Sequence, residues 1–137
     1  AGFHNDLNFL TIHGKSRFPG LSIWLRDGKK VNVKIPDGCL LLQAGKQMEW
    51  LTGGQIQAGY HEVICTKDTL SCKEAAVKNG RSIWRVSSTV FSQLASDEIL
   101  RPLPRFETKE STRKYPPMPV GQFVESELKY INLMEGP

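Results

Sequence analysis

The stretch GFHNDLN, residues 2–8, sets a histidine and an aspartate two positions apart. On a helix, side chains at i and i+2 diverge by roughly 200°, so His4 and Asp6 could not serve one site. On a strand they share a face, and an imidazole and a carboxylate look the same way. A third ligand would turn the pair into a metal site, and His61, in AGYHEVI, is the candidate. Two histidines and one carboxylate form the facial set that leaves open positions on non-haem iron(II). Further on, WRVSSTVF places Arg85 and Ser87 two apart. On one strand face they offer a planar fork of donors with a hydroxyl beside it, suited to a carboxylate. Together the two groups imply an iron and an anionic co-substrate in one barrel.

The elements that must carry these residues read mostly as strands. LSIWLRDG alternates Leu21, Ile23 and Leu25 with Ser22, Trp24 and Arg26, and Asp27-Gly28 signals a hairpin. KKVNVKIPDG continues the alternation and closes on a turn, and CLLLQAG reads as a short strand buried on both faces. QMEWLTGGQIQAGYHEVIC is expected to hold two strands around Gly53-Gly54. Ser71 and Glu74 have the form of a capping box and Gly80 of a stop, which predicts a helix over 72–79. RSIWRVSSTVFSQL returns to strand. The Pro- and charge-rich run from Leu100 to Pro119 reads as an irregular surface connector. Val120, Phe123, Val124, Leu128 and Ile131 recur at helical spacing, predicting an amphipathic helix over 120–132, with loose residues after it. The expectation is a mainly β chain: residues 1–100 as part of a barrel core, residues 101–137 as connector and helix packed on it.

Composition agrees with a folded domain. The 137 residues are 39% hydrophobic and 23% charged, with a net charge of +4. Lysines and arginines are scattered, so no nucleic-acid-binding stripe is evident. No apolar run approaches the ~18 residues that would span a membrane, and no N-terminal stretch has the form of a signal peptide. Cys39, Cys65 and Cys72 are odd in number and lack a CxxC spacing, which fits a reducing, cytoplasmic setting and not a disulfide framework. A candidate ligand at the fourth residue suggests the C-terminal portion of a longer protein.

The ordered series resembles a known family. His4-Asn5-Asp6 followed by LTIH (10–13), GLSIW (20–24), VKIPDGCLLLQAG (33–45), WLTGG (50–54), then His61 and Arg85-Val86-Ser87, is similar in order to the core of the Fe(II)- and 2-oxoglutarate-dependent oxygenases, on the isopenicillin-N-synthase-like branch. The likeness runs over residues 2–94. The sequence departs from that pattern at Asn8, where a glycine is usual, and at Gly45-Lys46, where Gly-Asp is common. The gap of 85 − 61 = 24 residues from His61 to Arg85 is also wide.

The resemblance implies a double-stranded β-helix (jelly roll) with a short inserted helix and a C-terminal amphipathic helix. It implies Fe(II) held by His4, Asp6 and His61, and 2-oxoglutarate as co-substrate with its distal carboxylate on Arg85 and Ser87. Dioxygen and a small organic substrate would complete the reaction, with the upstream N-terminal half of the same protein as a structural partner. Leu10 and Leu42 are candidates to line the site. His13 falls on the parity opposite His4 and Asp6 if all three share a strand, and so reads as solvent-facing. Trp24, Trp50 and Trp84 read as packing residues. Three alternatives keep part of the pattern: a non-catalytic barrel binding a small ligand, a cupin-like metal protein that does not need Arg85, and an interaction module with neither metal nor 2-oxoglutarate.

Overall fold

The Asp27-Gly28 hairpin organises the first part of the chain in the computed structural model, which describes residues 1–133. Strands β1 (Leu10–His13), β2 (Leu21–Trp24) and β3 (Lys30–Asn32) are followed by β4 (Leu41–Ala44), helix α1 (Lys46–Leu51) and β5 (His61–Val63). Helix α2 (Lys67–Lys78), β6 (Thr89–Ser92), β7 (Ile99–Leu100), a 3₁₀ turn (Pro104–Phe106), α3 (Lys109–Lys114), β8 (Met118–Pro119) and α4 (Val120–Tyr130) complete the order. Strands outnumber α-helices eight to four among the described residues, and no described helix is long and apolar enough to cross a membrane. A sheet of order β4-β1-β6, another of order β3-β2-β5 and the β7-β8 pair account for the strands.

Two compact units result. The first takes residues 1–5, 12–43 and 59–90. In it β2 pairs antiparallel with β3 and with β5, placing Ile23 opposite both Val31 and His61. Gly28, at φ 80°, supplies the left-handed residue of the hairpin turn, and Asp27 accepts the Lys29 amide at 2.9 Å. The N-terminal residues lie along β5: His4 and His61 exchange both backbone hydrogen bonds, at 3.0 and 2.8 Å, and Val63 N–H donates to Ala1 at 2.9 Å. Phe3 stacks on Tyr60 at 4.7 Å and meets Trp24 edge-on at 4.6 Å, pinning that segment.

Helix α2 begins five residues before the expected start. Its cap is Thr66, whose hydroxyl accepts from Thr69 N–H while Thr69 caps in return, so the Ser71/Glu74 pair falls inside the helix. A Thr-x-x-Thr box satisfies the same orphan amides as the expected Ser-x-x-Glu.

The second unit takes residues 6–11, 44–58 and the chain from 91 onward. Leu100, Val120 and Phe123 are its buried centre, with Trp50, Leu51, Leu94, Met118 and Val124 packed around them. Burial of side chains of this size contributes ~1.5–3 kcal/mol each. Trp50 meets Phe123 edge-on at 5.2 Å and donates to the Pro116 carbonyl at 3.2 Å, so it is a packing residue as expected. Lys46 of α1 pairs with Glu127 of α4. Helix α4 lies where its apolar spacing predicts; the expected loose end beyond it lies outside the described residues.

Four expectations are corrected. Residues 46–51 form a helix, not a strand: a six-residue helix is too short to show its period, and its apolar residues read as alternation. The connector is not irregular, because Thr108 and Ser111 make a capping box that starts α3. CLLLQAG is not buried on both faces: Leu40 and Leu42 are exposed, and the buried residue of β4 is Gln43. The strand expected from Arg81 narrows to β6, and residues 81–88 are exposed and irregular, with Trp84 80% exposed. Alternation makes a strand only where a neighbour takes the ladder, and no described strand pairs with 81–88.

Candidate metal centre

Paired backbones set the first two ligands side by side. His4 and His61 are directly opposite in an antiparallel bridge, so their side chains leave on the same face, with ring centroids 4.2 Å apart. His4 Nδ1 lies 2.6 Å from the Gly2 carbonyl oxygen, which can only accept, so Nδ1 carries the proton and Nε2 the lone pair. His61 is 4% exposed, and its Nδ1 lies 3.3 Å from the Gly59 carbonyl oxygen. The Gln43 side-chain amide nitrogen is 2.7 Å from the same Nδ1 and 3.5 Å from the Gly59 carbonyl oxygen, so Gln43 and Gly59 together hold this edge of the ring. His4 therefore holds its Nδ1 on a protein acceptor and presents Nε2, and His61 is held at its Nδ1 by Gly59 and Gln43, contacts of the kind that orient metal-bound histidines.

Asp6 does not sit on a strand with His4. It lies in the bend between the His4 bridge and β1, and is nearly buried. Its backbone carbonyl accepts Lys46 N–H at 2.8 Å, and its Oδ2 accepts the Thr11 hydroxyl at 2.5 Å. One ligand atom from each of His4, Asp6 and His61 lies within 4.8 Å of the others, and among the described residues this is the group of histidine, cysteine and acidic side chains that could hold a metal ion. Two neutral imidazoles and one carboxylate fit a divalent iron, leaving room in its coordination sphere for other ligands.

The remaining expectations fare differently. Arg85 and Ser87 are exposed and lie in the irregular segment, so the strand face that was to align them is not formed. Leu10 is half-buried on β1, whereas Leu42 is 62% exposed. His13 is not solvent-facing: it is half-buried, with its ring 6.3 Å from that of His61. The parity count failed because the bend at 5–9 interrupts the strand, so alternation cannot be carried from His4 to His13. Thr11, Asn8 and Gln43 were not read as site residues. The available signal was polar side chains inside otherwise apolar strand segments, since a buried Thr or Gln must find a partner.

Comparison with known proteins shows the family. The family model of the 2OG-Fe(II) oxygenase superfamily matches residues 1–94. The Arabidopsis thaliana protein named "probable 2-oxoglutarate-dependent dioxygenase" is 32% identical over 63 residues, covering 46% of this chain and 21% of that relative. Kihadalactone A synthase of Citrus sinensis is 23% identical over 132 residues, 93% of this chain and 35% of the relative. Among solved structures, a 2OG-Fe(II) oxygenase family protein from Caulobacter crescentus superposes with a TM-score of 0.75 at 26% identity, covering 95% of this chain and 40% of that one. The chain belongs to the 2OG-Fe(II) oxygenase superfamily. It spans about a fifth to a third of the curated relatives' length.

Proposed function

We propose that this chain carries the metal-binding core of an Fe(II)- and 2-oxoglutarate-dependent dioxygenase acting on a small organic substrate. The observation that carries the reading is the approach of His4, Asp6 and His61, one ligand atom of each lying within 4.8 Å of the others. These three residues would hold the iron. Bound there, iron(II) supplies the coupling of 2-oxoglutarate decarboxylation by dioxygen, giving succinate and carbon dioxide, to oxidation of the substrate. The chain's own contribution is orientation: the Gly2 carbonyl fixes the His4 tautomer, Gly59 and Gln43 hold the His61 ring, and Thr11 restrains the aspartate.

Arg85 and Ser87 are proposed to take the distal carboxylate of 2-oxoglutarate, a role supported by their place after His61 within the matched residues. The finer architecture proposed is a double-stranded β-helix into which α2 is inserted and which α4 accompanies, with residues 1–100 as core and 101–137 as connector and helix. A reducing, cytoplasmic setting is supported by three free, exposed cysteines. The test is anaerobic loading of the intact protein with iron(II) and 2-oxoglutarate, then exposure to oxygen and measurement of succinate. Succinate formation that requires iron supports the reading. Metal binding without succinate favours the cupin-like alternative, and binding of neither favours an interaction module.

A further inference from the structure

We infer that Asn8 is a positioning residue that sets the metal-binding carboxylate through Thr11; the inference rests on the metal site proposed above. Asn8 is 2% exposed and Thr11 is fully buried, so each polar atom there must be satisfied from within. The Thr11 hydroxyl has one proton and two neighbours that could accept it: Asp6 Oδ2 at 2.5 Å and Asn8 Oδ1 at 3.2 Å. The carboxylate is closer and charged, so it takes the proton. The Thr11 oxygen then accepts, and Asn8 Nδ2 is 3.1 Å away to donate.

The second amide proton of Asn8 fixes the direction of this chain. Asn8 Nδ2 lies 3.3 Å from the Ser92 carbonyl oxygen, which cannot donate. The amide therefore has its nitrogen, not its oxygen, toward Ser92, and that same nitrogen is the one that can donate to the Thr11 oxygen. The result is a one-way series of hydrogen bonds: Asn8 to Ser92 and Thr11, then Thr11 to Asp6. Polarisation along such a series strengthens the last bond. It keeps the Thr11 hydroxyl donating to Oδ2, restraining rotation of the carboxylate.

The fold of the bend is secured separately. Backbone bonds from Lys46 N–H to Asp6, from Gln47 N–H to Asn8 and from Phe9 N–H to Ser92 involve no Asn8 side-chain atom. Asn8 also lacks a positive φ, so the conformational need for glycine does not arise here. The side chain's distinctive task is the Thr11 hydroxyl.

The test is titration of the intact apo-protein with cobalt(II), followed by the visible absorption of the bound ion and with no turnover required. Asn8→Ala is expected to weaken binding about 10-fold, the lower end of what outer-sphere partners contribute to metal sites. Thr11→Val should lose at least as much, Thr11→Ser should recover most of it, and Asn8→Ala with Thr11→Val should lose no more than Thr11→Val alone. Asn8→Gly, which leaves the backbone free to adopt the same bend, should match Asn8→Ala. Parent affinity in a folded Asn8→Ala variant overturns the inference, as do additive losses in the double variant. Loss of folding in both Asn8 variants also overturns it, by making Asn8 structural. If the parent binds cobalt(II) and His4→Ala does not, failure at Asn8 touches this inference alone. If the parent binds no metal, the proposed function fails with it.

Discussion

Gly45 offers a measure of how tightly the aspartate-bearing bend is held. A methyl group built there would lie 2.0 Å from the Asn8 carbonyl oxygen, 2.8 Å from its carbon and 3.1 Å from the Asp6 carbonyl oxygen. Ordinary contact starts near 3.4 Å, so in Gly45→Ala the two backbones must part by 3.4 − 2.0 = 1.4 Å. Gly45 has φ −99°, which alanine adopts without strain, so space alone is at issue. Three hydrogen bonds cross the contact: Gly45 N–H to Phe9 at 3.1 Å, Lys46 N–H to Asp6 at 2.8 Å, and Gln47 N–H to Asn8 at 3.2 Å. A 1.4 Å parting takes all of them beyond bonding distance. At ~0.5–1.5 kcal/mol net for each of the three bonds, the substitution is expected to destabilise by about 1.5–4.5 kcal/mol. Urea unfolding of parent and variant measures this, with Gly2→Ala as control, since nothing lies within 4 Å of a methyl there. The displaced bend should also weaken divalent-metal binding. A Gly45→Ala protein with parental stability and parental metal affinity would refute the placement of this bend.

Arg85→Ala should leave iron affinity intact while weakening 2-oxoglutarate binding by ~1.5–3 kcal/mol, the scale of hydrogen bonds to a charged group, and Arg85→Lys should restore only part; calorimetric titration of 2-oxoglutarate checks both. Phe123→Ala should destabilise by about 3–5 kcal/mol in the same urea experiment, because Phe123 is 2% exposed at the centre of its cluster. Burial raises the Tyr115 phenol above its ordinary 10.0, and the hydrogen bond to Glu49 at 2.8 Å acts in the same direction against Lys114. A raised folded value means that its stabilisation is complete below about pH 10 and is lost as pH rises through the folded value. Tyr115→Phe should therefore flatten the alkaline limb of stability against pH while costing ~0.5–1.5 kcal/mol at neutral pH.

The candidate metal ligands stood out in the sequence because their types and order are constrained by chemistry. Their geometry was legible only in part. His4 and Asp6 were read as one strand face, and the structure instead sets His4 in a bridge with His61 and Asp6 in a bend. The same bend moved His13 from expected solvent to the vicinity of His61. Local rules worked where the interaction was local, as at Asp27-Gly28 and along α4. They failed where a distant partner decides. Residues 81–88 alternate like a strand and find no ladder, while Leu40 and Leu42 are apolar yet exposed. Asn8 was visible as a departure from the resembled pattern, but its role depends on Thr11 and on Ser92, 84 residues away in sequence.

Anaerobic iron(II) titration of four single variants tests the metal centre most directly: His4→Ala, Asp6→Ala, His61→Ala and, as the neighbouring histidine outside the ligand set, His13→Ala. One equivalent of iron is expected to bind the parent and His13→Ala, and binding is expected to be lost in the other three. Iron binding that survives in His61→Ala, or that disappears in a folded His13→Ala protein, would contradict the assignment of the ligands.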